Sequence, residues 1–176
     1  AEVGVGVTNV KEGDRVAVEP YDVCGECSAC AIGRYNICRK LGFVGLDGQQ
    51  GGFAERCVVD SRWAHPLGDI PTDLGALVEP LAVAYHAVRL SGFKPGGTAA
   101  VFGSGPIGLV TTAALKAAGA DKVVVVEPAA VRKAKAPGAG ADVVLDPTEV
   151  NVPDAIRDLT GGAGADVAFE CAGVDA

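Results

Sequence analysis

Cys24, Cys27, Cys30 and Cys38 place four thiols within fifteen residues, separated by two, two and seven others. That number and spacing suit one tetrahedral cation with every position filled, which is how a structural zinc site is built. A lobe with so few apolar side chains relies on its metal for much of its fold. Arg34, Arg39 and Lys40 lie close enough in sequence to offset part of the charge of four thiolates. The alternatives are two disulfides or reduced, unliganded thiols. A nucleic-acid zinc ribbon fits poorly with the chain's net charge of −7.

A second pattern is Gly103-Ser104-Gly105-Pro106-Ile107-Gly108. Glycines at this spacing suit a strand, a tight turn and a helix: the first allows the turn, the second lets a pyrophosphate approach the backbone, and the third lets helix and strand pack closely. The apolar run Thr98 to Phe102 precedes it, and the alanine- and leucine-rich stretch Leu109 to Ala118 follows. The helix start then offers unpaired N–H groups and a favourable dipole to a phosphate. Among 25 glycines such a match carries little weight alone. Its context adds weight, because Val123 to Val126 reads as the next strand and ends in Glu127, 19 residues past Gly108. An acid there meets the adenosine ribose of a bound dinucleotide. The bland alternative is a structural strand–helix turn.

A third candidate is Glu79, a carboxylate inside the apolar run Ala76 to Ala84. Such an acid needs a partner, solvent at a cleft, or a metal. His86 falls near the same helix face and reads as a hydrogen-bonded packing histidine. His65 has no partner at ligand spacing and reads as a loop residue.

The elements that must hold these groups follow from the pattern. Val3 to Asn9 looks like the tail of a strand and Arg15 to Glu19 like a strand closed by Pro20. Residues 42–52 are glycine-rich and suggest a mobile loop. Phe53 to Val59 reads as a further strand, with Cys57 a core or strand residue. Asp73 is placed to cap a helix, interrupted at Glu79-Pro80 and resumed from Leu81 to Leu90. Beyond the glycine turn come a short helix from Ala129, stopped by Ala136 ahead of Pro137, and a strand Asp142 to Asp146. A helix over Val152 to Leu159 and a strand Asp166 to Cys171 complete the pattern. Strands alternating with helices predict an α/β architecture with a parallel sheet and right-handed crossovers. Only four such strands are read here, so an open edge is expected at the last unless another chain or further residues cover it.

Apolar residues make up 49% of the 176 and charged ones 21%, which is ordinary for a soluble globular protein. The acidity argues against nucleic acid or an anionic membrane surface as partner. No apolar run approaches the ~18 residues needed to span a bilayer. The opening Ala1-Glu2-Val3-Gly4 has neither a basic region nor a long apolar one, so no signal peptide is expected. Without an initiator Met, the chain is expected to begin inside a longer protein.

Together the stretches GDRVAVEP, CGECSACAIGRYNIC, GGFAE, LVEPLAVAYHAV, VFGSGPIGL, ADVVLDP and DVAFECAG resemble the zinc-dependent medium-chain alcohol dehydrogenases. The resemblance is strongest to the branch with butanediol, sorbitol and threonine dehydrogenases. It implies part of a GroES-like, β-rich catalytic domain over residues 1–80 and part of a Rossmann-type NAD-binding domain over 81–176. It implies a structural zinc on Cys24, Cys27, Cys30 and Cys38, and Glu79 as an acid of a catalytic zinc site. Arg132 sits where the family often places an arginine over the adenine and ribose. The family's other catalytic ligands, a Cys and a Gly-His-Glu motif, precede the position of Ala1. Ala129 and Pro137-Gly138 depart from the family's usual residues. The implied reaction is reversible hydride transfer between NAD and a secondary alcohol such as 2,3-butanediol, with zinc as Lewis acid. A cytoplasmic homo-oligomer is the implied context of the complete protein. A same-superfamily NADPH-linked reductase is disfavoured by the four-Cys lobe. A zinc-stabilised NAD-binding or assembly module without turnover is the alternative from another class.

Overall fold

A computed structural model describes residues 2–46 and 51–173. The chain divides into two compact units, Ala1–Glu79 and Pro80–Ala176.

In the first unit the period-two alternation after Arg15 forms β1 (Val16–Val18). β2 (Tyr21–Asp22) follows Pro20 and leads into the cysteine lobe. That lobe contains α1 (Ser28–Ala31) and a single 3-10 turn, Tyr35–Ile37. β3 (Gly42–Phe43) returns from the lobe and pairs antiparallel with β2. β4 (Ala64–Pro66) pairs antiparallel with β1. Rings hold the unit where aliphatic side chains are scarce. Tyr35 lies 5.0 Å from Trp63 and 5.8 Å from Tyr21 between ring centres, and Tyr21 lies 5.4 Å from Phe43. Among the described residues, the apolar side chains buried here are Cys38, Ala64 and Leu67.

Several expectations for this unit are corrected. Val3 to Asn9 is irregular rather than a strand tail, and Phe53 to Val59 forms no strand. Phe53, Cys57 and Val58 all stand exposed, so the stretch lacks the buried face that holds a strand against a core. His65 lies in β4 opposite Ala17, with Nε2 3.2 Å from Glu19 Oε2, so it is no loop residue. The mobile loop expected over residues 42–52 begins as strand β3, and its residues 47–50 lie outside the described residues.

α2 (Thr72–Gly75) has Pro71 at its cap, with Asp73 inside its first turn. α3 (Val78–Leu90) then runs without interruption through Pro80. Pro80 is its third residue, where the missing N–H is one of the donors that a helix start leaves unpaired anyway. The break falls earlier, at Ala76 and Leu77.

The second unit is a four-stranded parallel sheet. β5 (Thr98–Phe102) leads into α4 (Pro106–Ala117), and β6 (Lys122–Val126) into α5 (Ala130–Lys133). β7 (Val143–Leu145) precedes α6 (Val152–Leu159), and β8 (Val167–Glu170) comes last. The strand order is β7-β6-β5-β8, every pair parallel. Side-chain alternation divides the central strands between two cores. Ala99, Val101, Val123 and Val125 pack with Leu115 of α4 and with Ala84 and Val88 of α3. Ala100, Val124 and Val126 pack with Val152 and Ile156 of α6. Both faces are covered, as a parallel sheet requires. α5 stops at Lys133, and a 3-10 turn over Pro137–Ala139 follows. Among the described residues no helix is long and apolar enough to cross a membrane.

Candidate functional sites

The glycine turn joins β5 to α4, and its three glycines meet three different demands. Gly103 has φ +94°, and a Cβ there would come within 3.1 Å of the Cys171 and Ala172 backbone at the end of β8. Gly108 has the closest approach: a Cβ would lie 2.0 Å from the Gly103 carbonyl oxygen. Gly105 would meet nothing within 4 Å, so its face is open to a ligand. Pro106 opens α4, where its lost donor costs nothing. Ile107 is partly exposed at the same helix start. A cradle that only backbone can approach, open at Gly105 and set on a helix start, fits a dinucleotide pyrophosphate.

Glu127 closes the strand beside this turn and is almost fully buried, at 1% exposure. Its Oε2 accepts the Ser104 backbone N–H at 2.9 Å and lies 3.4 Å from Ser104 Oγ. Its Oε1 accepts the Ala129 N–H at 2.9 Å and pairs with the Arg132 guanidinium at 2.9 Å. Burial pushes this carboxyl up, but the N–H groups of Ser104 and Ala129 and the Arg132 charge outweigh it and hold it below the usual range. The acid therefore stays ionised while it ties the glycine turn to the next strand.

One strand further out, Asp146 follows β7 and accepts bonds from Thr148 N and Oγ1 at 2.9 and 2.6 Å. Lys133 Nζ bonds to the same carboxylate. Lys133 and then Thr148 hold the Asp146 carboxyl down at about 2. This pair was not singled out from the sequence. The signal that could have found it is an acid at the end of a parallel strand, the same position that marked Glu127.

In the first unit the four sulfurs of Cys24, Cys27, Cys30 and Cys38 all lie within 4.8 Å of one another. The Cys27–Cys30 and Cys24–Cys38 sulfur pairs are both 3.5 Å apart. Four thiolates at the ~2.3 Å Zn–S distance of a tetrahedron sit about 3.8 Å apart, so the donor set fits zinc. Backbone N–H groups of Cys24 and Lys40 point at Cys38 Sγ from 3.4 and 3.3 Å. N–H groups of Arg39 and Cys30 draw the Cys27 thiol down to about 6. Burial and then the Cys27 thiol push Cys30 up to about 12. A cation held among the four sulfurs would deprotonate them all, and so couples metal binding to the fold of the lobe. The ammonium of Lys40 pairs with Glu26 at 2.9 Å at the lobe's exterior.

Glu79 lies in the first turn of α3 and is exposed, as is His86. Among the described residues, the four cysteines alone form a converging group of three or more His, Cys, Asp or Glu ligands, and Glu79 is outside it. His86 is therefore no packing histidine.

Two family models match the chain. Residues 1–69 match the alcohol dehydrogenase GroES-like domain, and residues 106–176 match zinc-binding dehydrogenase. The (R,R)-butanediol dehydrogenase of Neisseria gonorrhoeae is 46% identical over 175 residues, covering 98% of this chain and 49% of that protein. The crystal structure of 2R,3R-butanediol dehydrogenase from Bacillus subtilis superposes with a TM-score of 0.87 at 48% identity, over 98% of this chain and 49% of that one. A zinc-binding dehydrogenase from Sinorhizobium meliloti bound to NADP gives 0.87 at 38% identity, over 98% and 51%. The chain thus spans about half the length of the relatives it matches. With the cysteine lobe on one side of residue 79 and the glycine cradle on the other, the chain belongs to the zinc-dependent medium-chain alcohol dehydrogenase family, in the branch that holds the butanediol dehydrogenases.

Proposed function

We propose that this chain supplies the NAD-binding and structural-zinc portions of a dehydrogenase acting on a secondary alcohol or vicinal diol. The observation that carries the reading is the open backbone cradle at Gly105 with the ionised, buried Glu127 beside it. In this reading residues 1–80 belong to the catalytic domain and 81–176 to the nucleotide domain. Gly103, Ser104, Gly105, Pro106, Ile107 and Gly108 receive the pyrophosphate. Glu127 faces the adenosine ribose and Arg132 lies over it. Cys24, Cys27, Cys30 and Cys38 hold the structural zinc. A bound nicotinamide supplies hydride exchange with the alcohol carbon. The residues of this chain contribute binding, orientation and charge: Ser104 and Gly108 fix the turn, and Glu127 repels a phosphate on the ribose 2′ position. NAD is therefore the preferred cofactor. The butanediol dehydrogenases among the relatives support a vicinal diol as substrate, and a cytoplasmic homo-oligomer is the proposed setting.

A second reading, an NAD-binding, zinc-stabilised module without turnover of its own, is favoured by Glu79. A catalytic zinc needs about three protein ligands and an open position, and no described His, Cys, Asp or Glu pair converges with this carboxylate. The test loads the 176-residue chain with zinc, titrates it with NADH and NADPH, and follows NADH formation with 2,3-butanediol and sorbitol. NADH binding without turnover fits the binding portion of the enzyme. Absence of NADH binding in folded protein removes the cofactor assignment, and robust turnover removes the assignment of Glu79 as an incomplete site.

A further inference from the structure

The two cations that could welcome a 2′-phosphate are adjacent, Arg132 and Lys133, at the end of α5. The structure treats them differently. Arg132 turns to Glu127 and keeps a half-exposed side chain. Lys133 turns to Asp146, whose carboxylate is nearly buried, and is itself mostly covered. Asp146 is aimed by Thr148, whose N–H and hydroxyl occupy its other oxygen. Yet Lys133 remains within the electrostatic reach of Glu127 and of Glu149. It is a flexible ammonium near the ribose acid, held by a different anion.

We infer that Asp146 is a positioning residue for cofactor specificity: by anchoring the Lys133 ammonium at the end of β7, it keeps a positive charge from the ribose 2′ position and so disfavours NADP. This rests on the assignment of Glu127 to the ribose. Without the Asp146 charge, the four-carbon stem of Lys133 leaves its ammonium to the other anions within its reach, Glu149, Glu127 and any phosphate beside Glu127. A charge freed to approach a phosphate at surface dielectric changes affinity about tenfold.

The experiment titrates NADH and NADPH into the zinc-loaded chain by nicotinamide fluorescence and compares the ratio of the two Kd values. Asp146→Asn, which keeps an acceptor for Thr148, is expected to move the ratio about tenfold toward NADPH. Adding Lys133→Met to that variant returns the ratio to the wild-type value, which a merely structural effect of Asp146 does not predict. Lys133→Met alone leaves the ratio unchanged, because the ammonium is already withheld. An unchanged ratio in folded Asp146→Asn overturns the inference, and so does a shift caused by Lys133→Met alone. If Asp146→Asn does not fold, Asp146→Ser takes its place with the same expected shift, the same return on adding Lys133→Met and the same overturning result. Glu127→Gln separates the two levels. If it shifts the ratio and Asp146→Asn does not, the role of Asp146 fails alone; if Glu127→Gln leaves the ratio unchanged, the ribose assignment fails and takes the inference with it.

Discussion

The Glu127 carboxylate accepts the backbone N–H of Ser104 at 2.9 Å across 23 residues of sequence. The acid that marks the end of one strand thus fixes the turn that ends its neighbour. Any ligand in the cradle meets a loop and an acid already joined.

Glu127→Ala should therefore harm stability as well as cofactor binding. It leaves the Ser104 and Ala129 N–H groups without their acceptor, and a buried donor stripped of its partner costs ~1–3 kcal/mol. Urea unfolding should show a loss on the order of 2–4 kcal/mol, with NADH affinity reduced in parallel. Wild-type stability in this variant would contradict the tie between acid and turn.

Gly108→Ala is expected to be worse for binding than its size suggests. The added methyl would lie 2.0 Å from the Gly103 carbonyl oxygen, so the turn has to move off the helix. Overpacking of this kind costs ~1–3 kcal/mol or more. NADH binding should be lost while the far-ultraviolet circular dichroism stays largely native. Gly105→Ala provides the contrast: its Cβ meets nothing within 4 Å, so stability should change little. Tight NADH binding by Gly108→Ala would show that the cradle does not need this contact.

Zinc removal should act on one unit. Among the described residues the first unit buries few apolar side chains, and its four cysteine sulfurs converge on one point. The chain's one tryptophan, Trp63, lies in that unit 5.0 Å from Tyr35. Chelation, or Cys27→Ser, should shift Trp63 emission to the red while the helical signal of the nucleotide half persists. Simultaneous loss of both signals would show that the two units unfold together.

Acid should weaken the second unit over a defined window. The folded Asp146 carboxyl is held at about 2 by Lys133 and Thr148, below its ordinary value of 3.8, and Glu127 is also depressed. Groups lowered on folding contribute stability above their unfolded pKa and lose it as pH falls through the folded one. Urea midpoints should be level near pH 5 and fall between about pH 4 and pH 2. In Asp146→Asn the fall should be shallower. An identical acid slope in both proteins would remove Asp146 from this account.

The parts of the structure that local chemistry dictates were readable from the residues. α6 begins and ends where its sequence indicates, with Asn151 accepting the Asp154 N–H as cap and Pro153 in the first turn. β5 and β6 are apolar runs bounded by glycine or an acid, and both faces of such strands must be covered. The four-Cys cluster was legible because a metal shell has few spacings. What failed depended on distant partners. Phe53 to Val59 has strand-like residues, but most of its side chains stand in solvent, and no local pattern shows whether a run of this kind gains a core to lie against. His65 became a strand residue because Ala17 lies opposite. Pro80 looked like an interruption only because the helix start lies at Val78, two residues before it. The Lys133–Asp146 pair joins residues 13 apart through a sheet edge, which no periodicity reveals.

The Gly103–Gly108 contact has a consequence for how a nucleotide is received. The Gly103 N–H is taken by Val126 O at 2.8 Å, its carbonyl rests against Gly108, and the next N–H belongs to Glu127. Three successive backbone groups are thus committed before any ligand arrives, so the turn has little conformational freedom left to surrender. The entropic penalty of association falls mainly on the incoming molecule, which must straighten its own rotatable bonds to match a receptor that does not adapt.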